Sequence, residues 1–307
     1  MAAAWRPCPP SLPCSCAASW ARSRGMNALP FDDDLAALLA IAEHGGALCT
    51  VVGIDGSWSR RLGAQLAVLP DGRMVGSLAD GCLERALADQ AQAAGEARVL
   101  RYGAGSPFMD IRLPCGSGVE VMVDPAPDAA LVQAAVEALA RREVAELPIS
   151  ADFTRRYLPR LRLLVLGSGP EAGALVDMAQ RQGVEVLLAS PHGESGEASL
   201  SLGQDPNLPA HWQPDPWTAA AILFHDHEWE RSLIPWALGT AAFYVGAQGG
   251  ARTRANRLEH LAALGFGKEA LAKLRSPIGL IPAARTPSVL ALSVLAEVVG
   301  AYEKLVG

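Results

Sequence analysis

An apolar run that breaks into glycines constrains this chain more than any other stretch. Leu161-Arg162-Leu163-Leu164-Val165-Leu166 reads as a buried strand and ends in Gly167-Ser168-Gly169. Residues 171–182 follow with helical spacing, Gly183 stops the helix, and residues 184–189 read as a second strand. That is a βαβ unit. Gly167-Ser168-Gly169-Pro170-Glu171-Ala172 fits G-x-G-x-x-A. In that motif glycines let the backbone approach a phosphate, and the helix start supplies N–H donors and positive potential. Two more strands, 219–224 and 242–245, end at His225-Asp226-His227 and at Gly246-Ala247-Gln248-Gly249-Gly250. In open parallel sheets ligands sit outside the carboxyl ends of strands, so three loops face one expected crevice. The second strand ends in Ser190 where an adenosine ribose would need Asp or Glu. That points away from ordinary NAD and leaves NADP, another nucleotide, or glycines that only make a tight turn.

The sequence before this unit differs in kind. Residues 35–42 have helical spacing behind the capping run Asp32 to Asp34, and His44-Gly45-Gly46 ends the helix. Residues 47–52 read as a short buried strand. Residues 64–69 and 74–78 flank Pro70-Asp71-Gly72-Arg73 as a hairpin. A helix over 84–94, strands over 99–102 and 119–123, and a helix over 129–142 complete an α+β unit. Residues 146–160, with Pro148 and Pro159 and weak periodicity, read as a linker. The expected organisation is an N-terminal domain over 26–145 and a Rossmann-like domain over 161–307, an α/β chain overall. Residues 1–25, interrupted by Pro7, Pro9, Pro10 and Pro13, read as a disordered tail or as translated sequence ahead of a true start at Met26.

Composition limits the function classes. With hydrophobic residues at 50% and 307 residues, there is core enough for two domains. The longest apolar stretch, 288–300, is broken by Glu297, short of the ~20 residues that a membrane span needs. A net charge of −6 without a Lys/Arg block argues against a nucleic-acid partner. Six cysteines, three of them in the tail, do not form a disulfide framework, and the cytoplasm is the simpler assignment.

Two cysteines stand in glycine loops, Asp80-Gly81-Cys82 and Pro114-Cys115-Gly116-Ser117-Gly118. Cys82 also opens a helix, whose N-terminus favours thiolate, so it suits metal, sulfur or cofactor contact. Both read equally as small buried hydrophobes. Cys49, inside an apolar strand, reads as core. Arg60-Arg61 and the group Arg252, Arg254, Arg257 offer positive charge for an anion, with a solvated helix face as the equal alternative for the last two. His225-Asp226-His227 is too sparse for a zinc site and reads as a polar loop facing ligand. Trp212, Trp217, Trp229 and Trp236 are too dispersed for a stacking platform and read as packing.

Taken in order, these motifs resemble the XdhC/CoxI family of molybdenum-hydroxylase accessory proteins over residues 32–305. The motifs are Gly56-Ser57-Trp58-Ser59-Arg60-Arg61-Leu62-Gly63-Ala64, Asp71-Gly72, Gly76-Ser77, Gly81-Cys82-Leu83-Glu84 and Cys115-Gly116-Ser117-Gly118. Phe224-His225-Asp226, Tyr244-Val245-Gly246-Ala247, Arg252-Thr253, Pro277-Ile278-Gly279-Leu280 and Ala284-Arg285-Thr286-Pro287 follow. The resemblance implies a protein that binds molybdenum cofactor (molybdopterin) and hands it to the large subunit of a hydroxylase of the xanthine or carbon monoxide dehydrogenase type. It further implies sulfuration of the metal by a cysteine desulfurase, and a homodimer. It places cofactor contacts at Ser57, Arg60, Arg61, Ser77, Gly81, Cys82, Cys115, Gly116, Gly167, Ser168, Gly169, His225, Asp226, Gly246 and Arg252, with Cys82 and Cys115 as the thiols that touch molybdenum. No residues are patterned as a catalytic triad or acid–base pair, which suits a chaperone. An NAD(P)-dependent oxidoreductase using the Rossmann half, or a partner-binding paralogue without ligand, is the alternative. Ala79-Asp80, Ser190, Gly250-Ala251 and Ile281-Pro282-Ala283 depart from the family pattern and mark a diverged member.

Overall fold

The structure is a computed structural model that describes residues 33–79, 81–106, 116–191, 199–203 and 208–306. The tail segment, Asp80 and Cys115 lie outside the described residues, as do the side chains of Cys82 and His227.

The first half is built on a five-stranded antiparallel sheet. Helix α1 (Asp33–His44) leads into β1 (Ala47–Asp55), followed by β2 (Gln65–Val68), β3 (Met74–Gly76), α2 (Cys82–Ala93), β4 (Arg98–Gly103), β5 (Gly118–Asp124) and α3 (Ala129–Ala140). The strand order is β3-β2-β1-β5-β4, so β1 is central and buried on both faces. Its alternation sorts the core. Ala47, Cys49 and Val51 pack with Leu83, Leu87 and Ala91 of α2, while Leu48 packs with Leu35, Leu38, Ile41, Val132 and Val136 of α1 and α3. Two covered faces explain why β1 reads as a continuous apolar run.

The stretch expected as a linker folds instead. Strands β6 (Ala145–Ser150) and β7 (Phe153–Tyr157) form an antiparallel hairpin. Ala145, Leu147 and Tyr157 enter the core under α1 and α3. A two-stranded ribbon with a proline beside its register shift, between Pro148 and Ser150, has too short a period-2 pattern to stand out in sequence.

The second half carries the parallel sheet expected of it. Its elements are β8 (Arg162–Gly167), α4 (Pro170–Arg181), β9 (Glu185–Ser190), β10 (Ser199–Ser201), β11 (Thr218–Leu223), α5 (His227–Leu238), β12 (Tyr244–Ala247), α6 (Ala251–Ala263), α7 (Lys268–Lys273), β13 (Leu274–Arg275) and α8 (Pro287–Val306). The order β10-β9-β8-β11-β12-β13 is that of a doubly wound Rossmann sheet, with its switch point between β8 and β11. Leu163 and Val165 pack against α4 and α8, whereas Leu164 and Leu166 pack against α5, α6 and α7. The tryptophans serve this packing: Trp212 is buried, and Trp229 stacks on Phe224 at 5.3 Å between centroids.

The halves are tied by charge. Arg142, just past α3, donates to Glu185 at 2.9 Å and to Asp215, and Arg162 donates to Glu185 at 2.8 Å. Burial opposes ionisation of Asp215, but the Arg142 guanidinium outweighs it and holds the carboxyl below its usual range. Tyr302 of α8 donates to the Pro159 carbonyl at 2.8 Å.

Candidate functional site

At one end of the antiparallel sheet three loops meet: 56–64 after β1, 77–79 with Gly81 ahead of α2, and 116–117 ahead of β5. Their polar groups bind one another. Ser57 N–H donates to Ser117 Oγ at 3.2 Å, Trp58 Nε1 to the Leu78 carbonyl at 3.1 Å, and Arg60 to Ser77 Oγ at 2.9 Å. Ser77 Oγ in turn donates to the Ala79 carbonyl at 3.1 Å. Ser57, Arg60, Gly81 and Gly116 remain exposed around this knot. The structure therefore brings together the described N-terminal site residues, and Cys82 heads α2 at the same place.

Glu84 fixes the loop in front of Cys82. Its carboxylate accepts from the N–H groups of Leu78 (2.9 Å), Ala79 (2.6 Å) and Gly81 (2.7 Å). Burial opposes its charge, yet these donors outweigh burial and hold the carboxyl below the ordinary range. The Gly81–Glu84 spacing is the back half of a capping box, so this role was visible in sequence. Gly81 itself sits at φ 100, a conformation that favours glycine. Arg101 braces the neighbouring loops by donating to Asp55, to Glu120 at 2.9 Å and to the Ala104 carbonyl at 2.8 Å, a role that no sequence pattern marks.

A cleft of about 370 Å³ opens beside this knot, between the two halves. Arg60, Arg61 and Ser77 line it from the first half, Arg160 from the segment between the hairpin and β8, and Gly183 and Tyr302 from the second half. Asp34, 5% exposed, lies in its wall and is compensated by Arg155 at 2.8 Å, Arg61 at 3.1 Å and the Gln65 N–H at 2.8 Å. Leu161 directly precedes β8 and Gly183 lies two residues before β9, so the cleft abuts the amino ends of the parallel sheet.

The carboxyl ends form the other candidate site. Gly167, Ser168 and Gly169 lead from β8 into α4, and His225 and Asp226 from β11 into α5. Gly167 makes room for the sheet: a Cβ there would lie 2.5 Å from the Leu223 carbonyl oxygen. Gly169 takes φ 87 as the N-cap of α4. Two features oppose a pyrophosphate here. Pro170 occupies the first helical position and has no N–H to give. Glu171 places a carboxylate in the first turn, its Oε2 buried without a hydrogen-bond partner and 3.5 Å from His225 Nε2. The residues do not fit an NAD(P) diphosphate. Ser190 is fully buried and is no ribose ligand.

Other expected contacts have structural roles. Gly246 is buried, and a Cβ there would lie 2.4 Å from Ile278 Cδ1, so this glycine serves packing. Asp226 caps α5 by accepting from Glu228 N–H at 2.9 Å. Arg257, read as an anion contact or a solvated face, is 7% exposed, ion-paired to Glu230 and bonded to Ser276 Oγ at 2.8 Å. Arg252 and Arg254 are exposed on α6. Cys49 is fully buried, and burial pushes its thiol up to about 12. Among the described residues no three His, Cys, Asp or Glu side chains are gathered as a metal site, and no helix is long and apolar enough to cross a membrane.

The two halves match two family descriptions: residues 40–103 match the XdhC and CoxI family, and residues 163–298 the XdhC Rossmann domain. The molybdenum cofactor insertion chaperone PaoD of Escherichia coli is 33% identical over 276 residues, covering 83% of this chain and 82% of that protein. A Bacillus subtilis protein described as a probable subunit of xanthine dehydrogenase is 24% identical, over 88% of this chain and 96% of the other. In fold, the chain is similar to a crystal structure of a xanthine dehydrogenase from Bacillus halodurans, with a TM-score of 0.64 and 18% identity over 84% of this chain and 92% of that one. With both family segments in order along the sequence and a relative one-third identical across most of both lengths, the chain belongs to the XdhC and CoxI family.

Proposed function

We propose that this protein binds molybdenum cofactor as cargo and delivers it to a molybdenum hydroxylase during that enzyme's maturation. The observation that carries the reading is the meeting of three loops at one end of the antiparallel sheet, with Ser57, Arg60, Ser77, Gly81 and Gly116 around the start of α2. Its likeness to a cofactor insertion chaperone supports the same reading. The cargo is anionic, and exposed glycine backbone, hydroxyls and guanidinium groups can receive it. Cys82 is the first residue of α2, and a cysteine thiolate is a soft ligand suited to molybdenum. Cys115, the neighbour of Gly116, is the second thiol assigned to the metal.

In this reading the protein's residues hold, shield and release; none transforms the cargo. The two halves, 26–145 and 161–307, act as two domains, with the ligand knot on the first. The partner is the large subunit of the hydroxylase. Sulfur reaches the metal from a cysteine desulfurase, the protein works in the cytoplasm, and two copies form a homodimer. The NAD(P)-dependent alternative has no structural support at Pro170 and Glu171.

Anaerobic purification from a cofactor-replete host tests the proposal. Molybdenum by elemental analysis and pterin fluorescence should co-elute with the protein and fall in Cys82→Ala or Cys115→Ala. Wild-type protein that never retains either would overturn it.

A further inference from the structure

We infer that the cleft between the halves is the phosphate subsite for the cargo, and that the glycine-rich turn of the parallel sheet is not. The inference rests on the cofactor reading and assigns a place to one part of that ligand.

The ligand class follows from charge and room. A phosphate ester needs donors and net positive charge. The sequence motif that advertises such a site, Gly167 to Ala172, presents a proline without N–H and a carboxylate in its first helical turn. A phosphate there would meet Glu171 as a like charge. The cleft offers the reverse. Its volume of about 370 Å³ lies in the range of small-molecule pockets, about 300–1,000 Å³. Arg60, Arg61 and Arg160 reach it, with the hydroxyls of Ser59 and Ser77. Two carboxylates also line it. Asp34 is matched by Arg61 and Arg155, and Glu303, exposed on α8, is outnumbered.

The cleft also shares Ser77 with the loop that leads to α2. Ser77 lines the cleft, accepts from Arg60 and donates to Ala79, two residues before Gly81. One ligand can therefore present its metal to the Gly81-Cys82 loop and its phosphate to the arginines. Arg160 and Tyr302 come from beyond the hairpin, so the subsite draws on both halves, and Arg160 becomes an anion-binding residue that the motifs did not include.

Calorimetric titration of inorganic phosphate and of pyrophosphate into the full-length protein, freed of cofactor, tests this. Saturable binding is expected, weakened at least about tenfold by Arg60→Ala or Arg160→Ala, as loss of a charge-assisted contact implies. Arg60→Lys should recover part of it, and Glu171→Gln should leave it unchanged. Tighter phosphate binding would assign the subsite to a terminal monophosphate, and tighter pyrophosphate binding to a nucleotide-extended cofactor. Circular dichroism verifies folding. Arg60 is exposed, so Arg60→Ala keeps the test decisive if Arg160→Ala does not fold. No saturable binding at millimolar anion would overturn the inference. So would binding that survives both arginine replacements and is lost in Gly169→Trp. Molybdenum retention is measured alongside. A protein that retains molybdenum but binds no anion removes only the subsite, whereas one that binds pyrophosphate but never holds molybdenum removes the cofactor reading.

Discussion

Helices α2 and α4 begin in the same way and end up with opposite electrostatics. Each follows a glycine at positive φ, Gly81 at 100° and Gly169 at 87°, and each carries a glutamate in its first turn. Glu84 turns back to accept three backbone N–H groups and so completes the loop before Cys82. Glu171 finds no donor for Oε2 within hydrogen-bond reach, and His225 stands 3.5 Å away. One carboxylate is satisfied within its own turn, and the other adds negative charge to a crevice. A glycine turn ahead of a helix therefore does not define an anion site until the first-turn side chains are placed.

Substitutions can break or sharpen this contrast. The largest effect belongs to Glu84→Ala, which strands three N–H donors around a buried position and should cost about 3 kcal/mol. Urea unfolding measures it, and a loss under about 1 kcal/mol would contradict the role given to Glu84. The same group gives stability a pH dependence. Its carboxyl is depressed in the folded state, so its contribution is complete above the ordinary carboxylate value near 4.3 and is lost as pH falls through the lower, folded value. The wild-type stability should therefore drop more steeply than that of Glu84→Gln in acid.

Two alanine replacements separate the uses of glycine. Gly167→Ala forces a Cβ against the Leu223 backbone and should cost about 2–3 kcal/mol. Gly81→Ala meets nothing within 4 Å and suffers only its dihedral, about 1–2 kcal/mol. Thermal melts of the pair should keep that order. The smallest change is expected from Glu171→Gln, which removes a part-buried carboxylate whose Oε2 has no hydrogen-bond donor, and should raise stability at pH 7 by about 0.5 kcal/mol or leave it unchanged. A loss above about 1 kcal/mol would mean that the His225 pair, or another donor, already satisfies Glu171.

Much of the fold was legible in the sequence because its strands are buried on both faces. The apolar runs of β8, β9 and β11 and the hairpin of β2 and β3 needed no tertiary information. The hairpin β6–β7 was hidden, since short edge ribbons with proline resemble loops. The first-half site was legible as a set of loops, and Glu84 could be found from its spacing. The structural roles of Gly246 and Arg257 were hidden for a common reason. Glycine and arginine look the same in sequence whether they serve a ligand or fill a core, and only Ile278 against the one and Glu230 against the other decide it.

By itself, the sequence determined the strand–glycine–helix grammar of both halves, because hydrophobic periodicity and backbone freedom are local properties. The tertiary structure alone decided how charge is distributed over those elements. It matched Asp34 with Arg155 across 121 residues, left Glu171 Oε2 without a donor, and brought Arg160 to the cleft that Arg60 lines. Electrostatic partnership depends on distance in space, and residues far apart in the chain acquire that distance only when the sheets and hairpin pack.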